Sequence, residues 1–544
     1  MFVSHFPEIF ELLLAERGIS LEEKEAYLNP DYLRLHDPLL LPDMEKARDR
    51  VIQAIQNDEH IVVFSDYDAD GIPGAVVLSD FFRRVGYENI SFYIPHRHDE
   101  GYGLNIEAIE EIAERGTKLM ITIDCGITDL AEVALAKERG VDVIITDHHE
   151  PKEELPDAYA IVNPKRADSA YPFKGICGSA VAFKLVQAIY SKESFGVKPG
   201  MEKWSLDMVG IATLSDMVPL VDENRILARF GLEVLRKSPR PGLEALFRKL
   251  NLKREYLSED DVAFMITPRI NAASRMGVPE DAFKLLSTTD LAEAERLADH
   301  LEKINQERKG LVASMVKSAK HELEKREALR EVIVIGNPEW RPALAGLVAN
   351  SIVEEYMRPV FVWCRDGEGI LKGSCRSYNN YDLVALMEGA KESFIEFGGH
   401  KGAGGFSVTL EQLTTLEESL ALALKNLVST ATLENSGVAI SLGDVKESLW
   451  QTVSLFAPFG TGNEKPIFRI PQTEIRAVKS FGKEGNHLEL TLLNGIKAIS
   501  FFSTPESFGT PLSPGLSVNL HAHLEKSYFR NRPELRLRIV NIES

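Results

Sequence analysis

Four short runs carry residue types able to do chemistry: Asp66-Tyr67-Asp68-Ala69-Asp70-Gly71, Asp124-Cys125-Gly126, Asp147-His148-His149-Glu150, and Asp216 within Leu214-Ser215-Asp216-Met217-Val218-Pro219. Each follows a short apolar stretch that reads as a buried strand: His60–Ser65, Lys118–Ile123, Val141–Thr146 and Met208–Leu214. Ligands of an open parallel sheet bind beyond the carboxyl ends of its strands, so these acids and imidazoles are expected to converge on one crevice. Packed carboxylates repel unless a cation neutralises them. Asp and His together suit Mn2+, with Mg2+ or Zn2+ also open. Two ions ~3.5–4 Å apart activate water and steady a leaving oxygen in phosphoryl chemistry, and a shared carboxylate such as Asp124 could bridge them.

Read alone, any one of these acids is a helix N-cap or a turn residue. The first run also has the form of a calcium loop, but Val77 stands at the twelfth position, where that loop needs Glu. Recurrence separates the metal reading from the bland one: four acid-bearing ends occur in order, and one carries paired histidines.

The elements that must position them alternate. Met44–Gln56 has Ala47, Val51, Ala54 and Ile55 on one helical face; strand 60–65, helix 75–85, strand 90–94, helix 106–115, strand 118–123, helix 130–139 and strand 141–146 follow. This predicts an α/β fold with a parallel sheet covered by helices on both faces. Residues 178–250 read as mainly helical, and 289–330 as one or two long connecting helices with a narrow apolar stripe. A second α/β unit starts at Glu331. Strands expected at 474–481, 487–492, 497–502, 517–524 and 534–540 suggest a small β-barrel. The expected divisions are a helical segment 1–45, a catalytic domain 46–250, connecting helices 251–330, a second domain 331–430 and a barrel 438–544.

The net charge of −20, from 62 Lys and Arg against 82 Asp and Glu, taken alone argues against nucleic acid as a partner, without excluding it. It permits a local basic groove on an acidic exterior. Cys125, Cys177, Cys364 and Cys375 form no CxxC pair, so neither a disulfide framework nor a cysteine zinc site is indicated. No apolar run reaches the ~18–20 residues needed to span a membrane. The first residues, with Glu8, Glu11 and Glu16, lack the pattern of a signal peptide, so a cytoplasmic protein is expected.

These runs resemble the DHH phosphoesterase superfamily, named for the triplet seen here as Asp147-His148-His149. Within it the RecJ exonucleases look most similar, and the resemblance covers nearly the whole chain. It includes Gly101-Tyr102-Gly103-Leu104, Pro268-Arg269-Ile270-Asn271-Ala272-Ala273-Ser274-Arg275-Met276-Gly277, Gly373-Ser374-Cys375-Arg376-Ser377, the run Gly398–Phe406, and Phe456-Ala457-Pro458-Phe459-Gly460-Thr461-Gly462-Asn463 before the barrel. The resemblance implies a DHH domain, a DHH-associated domain and an OB-fold. It implies that Asp68, Asp70, Asp124, His148 and Asp216 ligate two Mn2+ or Mg2+ ions. His149 would touch the scissile phosphate or stand behind the metals, with Asp66 and Asp147 supporting the cluster.

Phosphate recognition is expected from Arg275 and Arg376, with Asn271, Ser374, Gly399, His400 and Arg97 beside them, because a guanidinium matches a phosphate bidentately. The Gly398–Gly405 stretch reads as a loop whose backbone could approach a phosphate; it is not a Walker loop. Tyr528 and Phe529, with Arg530 and Arg532, are candidates for stacking bases.

The implied activity is 5′→3′ exonucleolysis of single-stranded DNA in repair and recombination. The partners would be the DNA and a helicase or single-strand-binding protein, around a monomer with no membrane role. A DHH phosphodiesterase of short oligonucleotides or cyclic dinucleotides, and a catalytically weak scaffold, are the alternatives. Departures from the family pattern are Arg341 after Trp340, Ala343, Ala345, Ser274, Cys375 and Pro73.

Overall fold

The computed structural model describes residues 6–97, 99–365, 370–427, 437–482, 485–509, 511–528 and 533–543. The first domain is built on five parallel strands, β1 (Ile61–Ser65), β2 (Ile90–Tyr93), β3 (Leu119–Ile123), β4 (Asp142–Thr146) and β5 (Ala160–Val162). Their order is β2-β1-β3-β4-β5. β1 and β3 are buried along their whole length, which explains their uninterrupted apolar sequences. The strand order reverses between β1 and β3, the place where such sheets open a crevice. Ser65 pairs with Ile123, and Ile123 with Thr146. Asp66, Asp124 and Asp147 are therefore consecutive neighbours one residue past a single register row.

Two expectations for this domain are corrected. Asp216 does not follow a strand: Met208–Leu214 lies in the helix Leu206–Ser215, and Asp216 caps its C-terminus. A short apolar run without polar alternation fits a buried helix as well as a strand. The helix after the first motif starts at Gly71, ahead of Pro73, not at Ala75. Proline is tolerated in a first helical turn because its missing N–H is not needed there.

One continuous helix, Leu291–Glu324, leads to the second domain and buries Leu297, Leu301, Ile304, Met315 and Leu323 along one stripe. The second sheet has the order β6-β7-β8-β10-β9: β6 (Ile333–Gly336), β7 (Val360–Arg365), β8 (Leu371–Arg376), β9 (Glu396–His400) and β10 (Ala403–Val408). β6 and β7 are parallel and the remaining pairs antiparallel. Gly398–Gly405, expected as a loop, mostly forms the β9–β10 hairpin, so its backbone N–H groups largely serve the sheet.

The last sheet, β11 (Val438–Ala439), β12 (Phe468–Phe481), β13 (His487–Leu492), β14 (Lys497–Phe501), β15 (Ser517–Ser527) and β16 (Glu534–Glu543), closes through an additional β12–β15 pairing. With β14 parallel to β16 and the other long pairs antiparallel, this is a five-stranded Greek-key barrel of OB type with β11 appended. Its core also takes in Phe10, Leu13, Leu14 and Leu28, so the N-terminal helices belong to the barrel. Phe456–Asn463 is the joint. Asn463 Oδ1 accepts from Arg17 Nε at 2.9 Å and Tyr27 Oη at 2.8 Å, and its amide donates to the Phe456 and Pro458 carbonyls. Arg225 of the first domain donates to the Tyr27, Phe456 and Ala457 carbonyls, and its guanidinium lies 3.9 Å from the Tyr27 ring centroid.

Asn463→Ala strips a buried residue of four hydrogen bonds and leaves their partners unmet. It should destabilise the protein by roughly 2–4 kcal/mol. Denaturant unfolding checks this against Asn494→Ala at an exposed turn; equal midpoints for the two variants would contradict the joint.

Candidate metal centre and phosphate-binding cleft

The sheet register extends into the site through the backbone: Asp66 N donates to the Ile123 carbonyl, Asp124 N to Thr146 and Asp147 N to Val162. Asp124 is held at φ 61°, an uncommon conformation for a residue other than glycine and one that clusters at functional sites. The start of the helix Gly178–Lys192 lies against it. A Cβ on Gly178 would come within 2.6 Å of the Asp124 Cβ. That helix donates two backbone N–H groups to Asp70, Gly178 N to Oδ2 and Ser179 N to Oδ1, both at 2.7 Å. The positive end of the helix thus steadies a buried carboxylate. Asp68 Oδ1 accepts from the Asp70 and Gly71 N–H groups, and Asn271 Oδ1 accepts from Ala69 N at 2.9 Å. This bond makes Asn271, expected to contact substrate, a clamp on the first motif.

His148 Nε2 stands 3.1 Å from Asp124 Oδ1, 3.6 Å from Asp216 Oδ2 and 3.8 Å from Asp70 Oδ2. Three sets have donor atoms within 4.8 Å of one another: Asp66, Asp68 and Asp124; Asp70, His148 and Asp216; and Asp124, His148 and His149. Asp124 belongs to two of them. Ser215 Oγ lies 2.5 Å from Thr267 Oγ1, which ties the Asp216 end of its helix to the segment bearing Asn271 and Arg275.

Burial and mutual repulsion dominate the electrostatics of the carboxylates. Burial, then Asp68, pushes the Asp66 carboxyl well above its usual range; burial, then Asp70, raises Asp68. Burial, then Asp70, Asp68 and Asp66, raises Asp124 strongly, and burial with Asp70 and Asp68 lifts Asp216 to about 8. Burial lowers His148 to about 4. The buried oxygens Asp66 Oδ1 and Asp124 Oδ1 have no hydrogen-bond partner. Orphaned carboxylate oxygens around a neutral imidazole fit a divalent cation, and an oxygen-and-nitrogen donor set without sulfur fits Mn2+ or Mg2+.

His149 differs from its neighbour. Burial opposes its charge, but a 2.8 Å hydrogen bond from Nδ1 to Asp147 Oδ1, with the charge of Asp147, raises it to about 9. Tyr102 Oη donates to the Asp124 carbonyl at 2.9 Å and lies 3.1 Å from His149 Nδ1. Asn163 Nδ2 donates to the His149 carbonyl. Tyr102, Asn163, Gly178 and Ser179 had no role assigned from sequence. The Gly101–Leu104 run hinted at Tyr102, whereas nothing local marks the others.

A row of arginines faces this centre. The Arg97 guanidinium sits 5.0 Å from the Tyr67 ring centroid. Arg275 donates to the Ala343 carbonyl of the second domain at 2.5 Å. Burial, then Arg97, Arg308 and Arg376, pulls its pKa down, so these cations lie near one another. Arg376 donates to Ser374 Oγ at 2.9 Å and to the Cys375 carbonyl. Arg308, on the connecting helix, donates to Asn305 Oδ1. His400 shares a register row with Ala403 and Arg376, two strands away from the arginine. Gly399, at φ 147°, packs so close to the Ala403 carbonyl that a Cβ would clash at 2.4 Å. Tyr528 stacks on Tyr256 of the connecting segment, centroids 4.1 Å apart, so one ring face is already covered. Phe529 lies outside the described residues.

A carboxylate–histidine centre at the switch point of a parallel sheet, opposed by arginines of which Arg376 comes from a second domain, defines a phosphoesterase of the DHH class. Family models agree: "DHH family, N-terminal domain" matches residues 60–213, "DHHA1 domain" 329–426 and "RecJ OB domain" 438–541. The chain is 33% identical to a Bacillus subtilis single-stranded-DNA-specific exonuclease RecJ, covering 98% of this chain and 68% of the relative. It is 31% identical to the Haemophilus influenzae RecJ, covering 99% and 97% respectively. The crystal structure of Thermus thermophilus RecJ in complex with Mn2+ superposes with a TM-score of 0.81 at 28% identity, covering 98% of this chain and 76% of that one. The chain belongs to the RecJ family. Among the described residues, no helix is long and apolar enough to cross a membrane.

If repulsion among these carboxylates is relieved by metal, Asp124→Asn should raise the melting temperature of the metal-free protein by about 2–4 °C. It should also remove most of the rise that Mn2+ gives the wild type. Thermal scans with and without Mn2+ measure both; a variant keeping the full Mn2+ gain would overturn this reading.

Proposed function

We propose that this protein is a metal-dependent exonuclease that hydrolyses single-stranded DNA from its 5′ end. The observation that carries the reading is the cluster of Asp66, Asp68, Asp70, Asp124, His148 and Asp216 facing arginines of both domains. Asp68, Asp70, Asp124, His148 and Asp216 would hold the ions. Two Mn2+ or Mg2+ ions supply, when bound, acidification of a water and charge stabilisation at phosphorus. Asp70 is fixed for this by the helix N-terminus behind it, and Asp66 adds negative charge to the same face. His149, kept protonated and oriented by Asp147, donates to a non-bridging phosphate oxygen.

Arg275 and Arg376, with Ser374, Gly399 and His400 beside them, receive the terminal phosphate, while Arg97 contacts the strand near Tyr67. A cleft between two domains admits a flexible single strand and excludes the wider duplex. The barrel supports a polymeric substrate over a dinucleotide, because a tethered module raises the effective concentration of a long strand. Tyr528 and Phe529 are its stacking candidates. We place the enzyme in the cytoplasm as a monomer, working with a helicase or single-strand-binding protein in repair and recombination.

End-labelled single and double strands with Mn2+ or Mg2+ test the reaction; digestion from the 3′ end would refute the polarity. Arg376→Ala should slow cleavage of 5′-phosphorylated strands about tenfold more than that of 5′-hydroxyl strands, since a bidentate contact favours the more highly charged terminal group. Equal losses would mean that Arg376 holds the strand without reading its end. Tyr528→Ala is the sound probe of the barrel, because deleting the barrel would expose Phe10, Leu13 and Leu14. It should weaken binding of long strands and spare hydrolysis of short ones.

A further inference from the structure

Arginines in this acidic chain are commonly matched to carboxylates: Arg50 to Glu59 and Asp142, Arg166 to Asp43 and Asp168, Arg240 to Asp80 and Asp207. Others, such as Arg17, Arg225 and Arg236, donate to amide or backbone oxygens instead, and the cleft gathers further arginines of this second kind. Among the described residues Arg97, Arg308, Arg341 and Arg376 have no carboxylate within ion-pair distance, and they share one region with Arg275. Four of the five belong to the proposed phosphate pocket or touch it through charge. Arg341 has no role there.

Its position gives it one. The helix Pro342–Tyr356 presents three guanidinium contacts in order. Arg376 packs where a Cβ on Gly346 would lie 2.6 Å from its Nη2, Arg275 donates to the Ala343 carbonyl, and Arg341 is the N-cap residue. Arg376 and Arg275 are partly covered, whereas Arg341 is exposed. Among the described residues, the Arg341 guanidinium meets Met276 Sδ at 3.9 Å, directly after Arg275. At ~1.5 Å per residue, positions 341 and 346 are ~7.5 Å apart along the helix axis. Cations spread along such a row suit neighbouring phosphates of an extended strand.

We infer that Arg341 binds the second phosphate of the strand, next to the terminal one held by Arg275 and Arg376. The ligand is a single-stranded polynucleotide engaged through its backbone. This rests on the exonuclease reading above and adds to it a specificity-determining residue: the cleft grips a linkage beyond the end group, so a strand is favoured over a mononucleotide. An exposed guanidinium without a carboxylate partner loses little on meeting a phosphate, since no ion pair is broken.

The test uses the full-length protein with Mn2+, a 5′-phosphorylated oligothymidylate with hydrolysis-resistant phosphorothioate linkages, and dTMP as competitor. Arg341→Gln should weaken oligonucleotide binding about fivefold to tenfold. It should also reduce the slope of log affinity against log salt by about 0.7, the share of one single-strand phosphate contact. Competition by dTMP, which has one phosphate, should be unchanged. Arg139→Gln, which removes an exposed cation paired with Glu110, controls for net charge and should match the wild type. Unchanged oligonucleotide affinity and slope in Arg341→Gln would overturn the inference. So would equal weakening of oligonucleotide and dTMP, which would assign Arg341 to the terminal phosphate. A wild type that neither binds the oligonucleotide nor cleaves its unmodified counterpart would refute the exonuclease reading itself.

Discussion

Repulsion among buried carboxylates is the constraint around which this molecule is organised. Asp66, Asp68, Asp124 and Asp216 all have raised pKa values because each loses water and gains acidic neighbours. A protein holds such a cluster only if rigid elements prevent its members from moving apart. The parallel sheet does this by register, since a continuous ladder of backbone hydrogen bonds runs one residue past Ser65, Ile123 and Thr146. The helix start at Gly178 and the Asn271 amide then fix the first motif from two further directions. The close packing of Gly178 against Asp124 shows how little room the arrangement leaves.

The opposing charge comes from elsewhere in the chain. Arg275 ends the helix Thr267–Arg275, Arg308 lies on the connecting helix and Arg376 in the second sheet. Burial, with Arg97, Arg308 and Arg376 nearby, lowers the pKa of Arg275, so gathering guanidinium groups here is costly without an anion. Cation row and carboxylate cluster are thus two halves of one electrostatic design. A phosphodiester with its metal ions is complementary to both. The long connecting helix sets their separation.

Much of this was legible in the amino-acid sequence, and the failures have physical causes. Asp66, Asp124 and Asp147 could be placed because a buried strand followed by an acid is a local pattern. Asp216 was assigned to the wrong element because an apolar run of that length satisfies a buried helix equally well. Gly398–Gly405 looked like a loop because glycines punctuate turns, yet it forms the β9–β10 hairpin, whose β10 is fixed by pairing with the distant β8. Gly178 and Ser179 gave no signal because their partner, Asp70, lies far away along the chain. The barrel strands were read closely from their alternation, but nothing local announced that Phe10 and Leu13 complete their core.

That shared core also governs how the chain must be made. The N-terminal helices leave the ribosome early, and the strands that bury Phe10, Leu13, Leu14 and Leu28 follow only after both catalytic domains. At the usual pace of synthesis, the interval is tens of seconds, longer than most small domains need to fold. During it, an apolar helical face has no partner and is available to chaperones. A nascent chain arrested before β12 would hold a complete carboxylate centre beside an unsealed hydrophobic end, so quality control has a feature by which to distinguish unfinished enzyme from finished.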